Sequence, residues 1–401
     1  YTGDPAWKER IDRMVDGLDK IVVHKDDYAY IPTHGFYPQN YLASCYTPKG
    51  WKDTTEPPHE KEGEEGSLFN HQGHIPGVLA NWYMLTGNQK ALQLSGELVR
   101  FYTKSKFWAD WPAGDYPGVV GAEHAHWNAH FHGTINTLRA ILEYAIAAND
   151  ARLKQFVRDG YEWTRQGGCA RIGYFGFSCW DDPQGCATAR VIGLAVKLSD
   201  AGIGDYWEDV DQYIRNEGTE RQIVPEDKGY LSSFSEGKPA QPREAGENTK
   251  NVIDKVIGGF AGRPRKEQYF GICCGSHGNM GLFYAWDGTL RYKDGTARVN
   301  LLLNRASPWL DIDSYLPYEG KVVIKNKAAR EVFVRIPLWV DRNAVRCRLR
   351  NEEVARVWLG NYLRLGDLKP DDVLTIQFPI VETKEEWTIP ISGAAKTSQV
   401  H

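Results

Sequence analysis

The feature that most constrains the fold is a change of texture close to residue 290. Up to Trp286 apolar residues recur at helical spacing. After Gly288 the segments ARVNLLLN, GKVVIKN, EVFVRIPLWV, NYLRL and DVLTIQFPI are short, β-branched and separated by turn residues. One core cannot easily serve both textures, and at 401 residues the chain exceeds the size at which a single core usually stops growing. The expectation is a mostly α plus β protein: a helical domain over 1–290, then an antiparallel β-sandwich over 291–401, with the boundary between Trp286 and Gly295.

Within the first part, the run from 67 to 94 carries Val78, Leu79, Trp82, Tyr83 and Leu85 before the stop signal Thr86-Gly87-Asn88. The stretch from His132 to Asp150 repeats the pattern with Ile135, Leu138, Ile141, Leu142, Tyr144 and Ile146, and Asn149-Asp150 ends it. A third helix runs from Thr188 to Ser199, with Val191, Leu194, Ala195 and Leu198 as its buried face. Units of this size suggest a closed or partly closed array of helical hairpins. Residues 217–267, rich in Gly, Pro and charge, read as a long excursion or lid.

A net charge of -4 offers no basic field for phosphate backbones, so nucleic acid is not an expected partner. No apolar run is long enough to cross a bilayer, so no membrane partner is expected either. The N-terminal YTGDPAWKERIDRM reads as a helix approach, and a removed signal peptide would leave no trace, so localisation stays open. The 14 Trp and 21 Tyr supply rings of the kind that line sugar clefts, although such rings also fill helical cores. The partner expected is an oligosaccharide or polysaccharide fragment, and a homodimer is compatible with the composition.

Seven cysteines without small-scaffold spacing do not describe a disulfide framework. Cys273 and Cys274 are adjacent and flanked by Gly271 and Gly275, so a tight turn can aim both thiolates at one metal. Zinc is the natural candidate, and Cys186, at the start of a helix whose dipole favours a thiolate, is the first choice for a third ligand. The plainer alternative is buried, inert thiols. A second cluster, Glu123, His124, His126, His130 and His132, includes the i, i+4 pair His126 and His130, yet contains no HExxH motif. These histidines, with His71 and His74, are better read as hydrogen-bonding sugar hydroxyls or one another at the mouth of a helical array.

Several of these residues resemble the β-L-arabinofuranosidase family of glycoside hydrolases. His71-Gln72-Gly73-His74, with the helix through Tyr83 and its Thr86-Gly87 stop, is similar to that family's Ala-Gly-His-Leu helix, and His132 to Asp150 resembles the next barrel helix. Tyr269-Phe270-Gly271-Ile272-Cys273-Cys274 is similar to its Phe-Gly-x-x-Cys-Cys element. Leu316-Pro317-Tyr318-Glu319-Gly320-Lys321-Val322 and Val334-Arg335-Ile336-Pro337-Leu338-Trp339 look like its Tyr-Pro-Trp-Asp-Gly-Lys-Val and Leu-Arg-Ile-Pro-x-Trp strands. The resemblance implies an (α/α)6-type helical barrel followed by a β-sandwich, and a zinc ion held by three cysteines and a glutamate.

It further implies that Cys273 is the nucleophile and that Cys274 and Cys186 are zinc ligands. The family's Glu-x-Cys element reads Gln184-Gly185-Cys186 here, so an amide stands where a carboxylate is expected, and RIGYFGFSCWDDP contains no glutamate for the acid/base role. Asp181 and Asp182 are the nearest candidates for the proton donor, with Glu123 in reserve. The implied activity is release of a terminal sugar by a retaining mechanism. The rival readings are a carbohydrate-binding protein on the same fold, and a lyase or epimerase.

Overall fold

The computed structural model describes residues 4–31, 73–103, 131–166, 168–176, 184–233, 251–262, 272–389 and 398–400; at 272, 273, 387–389 and 398–400 the description is of the backbone. Helix α1 spans Pro5–Ile21. Asp4 caps it by accepting the Ala6 N–H, and Pro5, whose missing N–H costs nothing in a first turn, opens it. A short ribbon of β1 (Val23–His24) and β2 (Ala29–Tyr30) follows.

Two hairpins come next. Helix α2 (Ile75–Thr86) ends at Gly87 with φ 74°, and Asn88 at once caps α3 (Gln89–Tyr102) by accepting the Ala91 N–H. The Thr-Gly-Asn signal therefore both stops one helix and starts another. The second hairpin joins α4 (Phe131–Ala147) to α5 (Ala151–Gln166) through Asn149, left-handed at φ 53°, and Asp150, which accepts the Leu153 N–H. Strands β3 (Gly168–Cys169) and β4 (Tyr174–Phe175) lead into α6 (Gly185–Asp200).

Helix α7 (Trp207–Tyr213) continues as a π turn over Ile214–Gly218, and α8 (Lys228–Ser233) and α9 (Val252–Val256) are short. Part of the expected excursion is thus structured around Ile223, Leu231 and Ala261. Helix α10 spans Ile272–Gly288.

Among these, α2 packs on α4, α4 on α6 and α6 on α10, with α3 and α5 behind the row. Ile135, Leu138, Ile141 and Leu142 of α4 meet Val191, Leu194, Ala195 and Leu198 of α6 in one core, all fully buried. Each such aliphatic side chain contributes about 1.5–3 kcal/mol by leaving water. In α2 the apolar face differs from the periodic reading. Leu79 is buried, whereas Val78 and Leu85 are exposed.

Helices α4 and α6 run parallel in constant register. His132 meets Cys186, Asn136 meets Arg190 and Glu143 meets Lys197, each pair the same 54 positions apart. Glycines allow α10 to come as close on the other side of α6. A Cβ on Gly281 would lie 3.3 Å from that of Ala189, and one on Gly193 would lie 2.7 Å from the Tyr284 ring.

The remaining strands are β5 (Leu290–Lys293), β6 (Thr296–Val299), β7 (Leu310–Ser314), β8 (Lys321–Asn326), β9 (Glu331–Arg335), β10 (Arg346–Leu349), β11 (Glu352–Glu353), β12 (Val357–Leu359), β13 (Tyr362–Leu365), β14 (Val373–Gln377), β15 (Trp387–Ile389) and β16 (Ser398–Val400). One sheet has the order β11-β10-β14-β8-β7 and is antiparallel throughout. The other, β12-β13-β9-β6-β5, departs from the expected all-antiparallel pattern because β6 and β9 pair parallel. The chain leaves β6, builds β7 and β8 in the first sheet, and returns, a crossover that permits the parallel pair. Alternate residues of both sheets, Val322, Ile324, Leu374 and Ile376 with Ala297, Val299, Val332 and Val334, fill one core.

Candidate functional site

Three helix starts define the site. The first turn of α6 follows Gln184, which is extended at φ −119° and ψ 129°; its carbonyl accepts the Ala187 N–H, and its own N–H donates to Phe175 O at 2.9 Å. Its side chain makes no capping bond. It turns instead toward Cys186, with Oε1 3.7 Å from Sγ.

Cys186 is fully buried, and its Sγ lies 3.5 Å from His132 Nδ1 in the first turn of α4. Cys274, also buried, belongs to the first turn of α10. A Cβ built on Gly185 would lie 3.7 Å from the Cys274 Cβ, so the two thiol-bearing helix starts abut where α6 has no side chain.

One turn further along, Arg190 donates to Asn136 Oδ1 at 3.0 Å and to His277 Nε2 at 2.7 Å. A guanidinium cannot accept, so His277 Nε2 is the acceptor and the ring proton sits on Nδ1. The His277 ring lies 5.8 Å from that of His132. On the other side Arg221 donates to Glu217 and to the Gly262 carbonyl, and burial raises the Glu217 carboxyl above its ordinary range, an effect the adjacent Arg221 partly offsets. The first turns of three helices thus hold His132, Cys186 and Cys274, with Arg190 one turn further along α6 and the Arg221 side chain packed beside Gly185.

The donors also suit a soft divalent cation. With ordinary zinc–sulfur and zinc–nitrogen distances, neighbouring ligands of a tetrahedral ion lie about 3.6 Å apart. The Cys186–His132 and Cys186–Gln184 separations are close to that edge. An S–H···N hydrogen bond has the same length. Among the described residues, no three His, Cys, Asp or Glu side chains form a metal cluster.

Of the residues singled out in the sequence, Cys186, Gln184 and Cys274 come together, with His132 beside them. His74 stands exposed at the start of α2. The Cys273 backbone lies in the first turn of α10, and its side chain lies outside the described atoms. Asp181, Asp182, His71, Glu123, His126 and His130 lie outside the described residues, as does His124. Sequence reasoning missed Asn136, Arg190, Arg221 and His277. Helical spacing carried the signal for two of them: Arg190 is four residues after Cys186, and His277 is three after Cys274.

No family model matches the sequence, and no curated protein matches it either. Solved structures do match in shape. The GH127 β-L-arabinofuranosidase from Geobacillus stearothermophilus T6 aligns with a TM-score of 0.56 at 13% identity, over 97% of this chain and 60% of that one. Another GH127 β-arabinofuranosidase gives 0.51 at 14% identity, over 82% and 53%. A structure titled as a glycoside hydrolase gives 0.52 at 13% identity, over 94% and 70%. At such identities the likeness is one of fold, and the chain spans 60% and 53% of the two GH127 proteins. The mixed helical and sheet architecture is that of a glycoside-hydrolase-like fold.

Proposed function

We propose that the chain is a glycoside hydrolase that releases a terminal β-L-arabinofuranoside-like sugar from an oligosaccharide or polysaccharide. In this reading the helices belong to an (α/α)6-type barrel over 1–290, and the two sheets form a β-sandwich over 291–401. The observation that supports it is the junction of α6 and α10, where the helix starts that carry Cys186 and Cys274 abut at Gly185, on a fold shared with glycoside hydrolases.

Zinc fits this donor set. Cys186, Cys274 and Cys273 would hold it, with Gln184 or His132 as the fourth ligand; its chemistry is to keep the thiols deprotonated and to supply positive charge. Cys273 attacks the anomeric carbon, a sulfur–carbon bond forms as the glycosidic bond breaks, and a carboxylic acid gives its proton to the leaving oxygen. Asp181 and Asp182, just before α6 in the chain, are the candidates for that acid, with Glu123 in reserve. The carboxylate so formed then takes a proton from water, whose oxygen bonds to the anomeric carbon as the sulfur–carbon bond breaks, and both the acid and the thiolate are restored. His74, His71, Glu123, His126 and His130 would bind the sugar hydroxyls.

The test is turnover on a panel of aryl glycosides that includes the β-L-arabinofuranoside. Hydrolysis that disappears in Cys273→Ser supports the reading. Gln184, a neutral group where the resemblance expects a carboxylate, favours a second reading, a carbohydrate-binding protein. Saturable sugar binding without turnover would select it. An ultraviolet-absorbing unsaturated product would identify a lyase instead.

A further inference from the structure

Two donors converge on the Gly262 carbonyl, in a segment that packs on α10, where a Cβ on Gly278 would overlap the Phe260 ring. One is the Gly185 N–H, at 3.2 Å, and the other is Nη1 of Arg221. The same segment is tied to the Arg221 backbone, because Ala261 N–H donates to Arg221 O at 2.8 Å and Gln222 bridges Phe260. The remaining arm of the guanidinium, Nη2, is held by Glu217. Both side chains are largely shielded, at 9% and 14% exposure. Glu217 belongs to the π turn at Ile214–Gly218, and its N–H donates to Ile172 O at 3.2 Å. Local π turns of this kind are frequent at functional sites.

The packing is tight around one point. A Cβ on Gly185 would meet Ala261 O at 2.9 Å, Arg221 Cδ at 3.2 Å and Cys274 Cβ at 3.7 Å. The Arg221 side chain, the first residue of α6 and the first turn of α10 therefore surround the same small volume. Arg221 is suited to this because its planar fork can serve an acid and a carbonyl at once, which a lysine ammonium does with less angular control.

We propose that Arg221 is a positioning residue: by clamping the Gly262 carbonyl to Glu217 it fixes the separation of the Cys186 and Cys274 helix starts. The proposal rests on the reading that these two starts form one metal-binding thiol site. It assigns Arg221 no contact with sugar or metal, only control of the distance across which the thiolates cooperate.

The test is cobalt(II) titration of the metal-free full-length chain, read by its near-ultraviolet thiolate-to-cobalt absorption and by competition with a chelator. Wild type gives the thiolate band. In Arg221→Met the band weakens and cobalt affinity falls about tenfold or more, the usual scale for groups that orient ligands from behind. Arg221→Lys falls between the two. A residue that merely stabilised the fold would lower the melting temperature and leave the band unchanged, so an unaltered band and affinity in Arg221→Met overturns the proposal. If Arg221→Met does not fold, Glu217→Gln decides, since it removes the charge that anchors the guanidinium while keeping the shape of the side chain and leaving the thiol-bearing helix starts untouched. Weakened cobalt binding is expected there, and unchanged binding overturns the proposal. Absence of any thiolate band in wild type would instead overturn the reading of the site itself.

Discussion

Arg335 and Glu208 form an ion pair across the junction of helices and sheets, with the Arg335 side chain 1% exposed and its Nε donating to the Asn300 carbonyl. Glu208 also accepts the Leu338 N–H at 3.1 Å, and the second arm of Arg335 reaches Asp211 at 3.4 Å. Removing one partner of such a pair strands a buried charge. Arg335→Met should cost about 3–5 kcal/mol in urea denaturation, and the double variant with Glu208→Gln should recover part of it. A loss under about 1 kcal/mol, the range of exposed pairs, would show that this pair does not anchor the junction.

Gln184→Glu tests the metal shell from the opposite direction to truncation. Gln184 is buried, with its amide oxygen beside Cys186, so a carboxylate there carries a desolvation cost that a bound cation would offset. The variant should melt lower than wild type when metal-free and gain more from added zinc, with zinc affinity raised and only a small gain in turnover. Weaker zinc binding, measured by chelator competition, would place Gln184 away from the metal.

His24 supplies a pH test independent of the site. The Asp19 carbonyl raises the imidazole above its usual 6.5; burial opposes it, and the Glu97 carboxylate, 2.9 Å from Nδ1, adds to the rise. The charged ring is favoured in the folded state. Its contribution is therefore fully present below the unfolded value of about 6.5 and is lost as pH rises through the raised folded value. The side chain is 45% exposed, so the effect is at most about 1 kcal/mol. Melting temperature should fall between pH 6 and pH 8.5 by more in wild type than in His24→Gln. Equal slopes would remove this contact from the pH dependence.

Cys347 should behave as an inert thiol. It is buried on β10 opposite Ile376, and burial pushes it up to about 12. At pH 8 iodoacetamide should leave it unmodified in native protein and label it after unfolding in urea. Native labelling at the unfolded rate would show that β10 separates from β14.

The helices whose apolar residues recur at strict spacing, α4 and α6, were legible in the sequence, and so were strands β8, β9, β13 and β14. Helices α3 and α5 were harder to see because each turns a charged face outward, as in ARLKQFVRDGYEWTRQ, and is held mainly by packing against the row in front. The parallel pairing of β6 with β9 is set by a crossover and leaves no local mark. At the site, cysteine identity pointed to Cys186 and Cys274. Arg221 and His277 have no such signature, since their roles come from the meeting of segments far apart in the chain. The strand texture around Val322 and Val334 speaks for fold, and nothing in it reports a substrate.

The constant register of α4 against α6 has a consequence for the order in which this protein assembles. His132, Cys186 and Cys274 sit on three different helices, and the first two are 54 positions apart. Contacts of that separation form only after long loops have closed, and they give no local reward along the way. A small zinc finger is folded by its metal. In the proposed site these groups meet only once the row of helices is already docked, so a zinc ion bound there would be a passenger of folding and not its template. Refolding from urea should accordingly proceed at the same rate with and without zinc, while the unfolding rate alone falls when the metal is present.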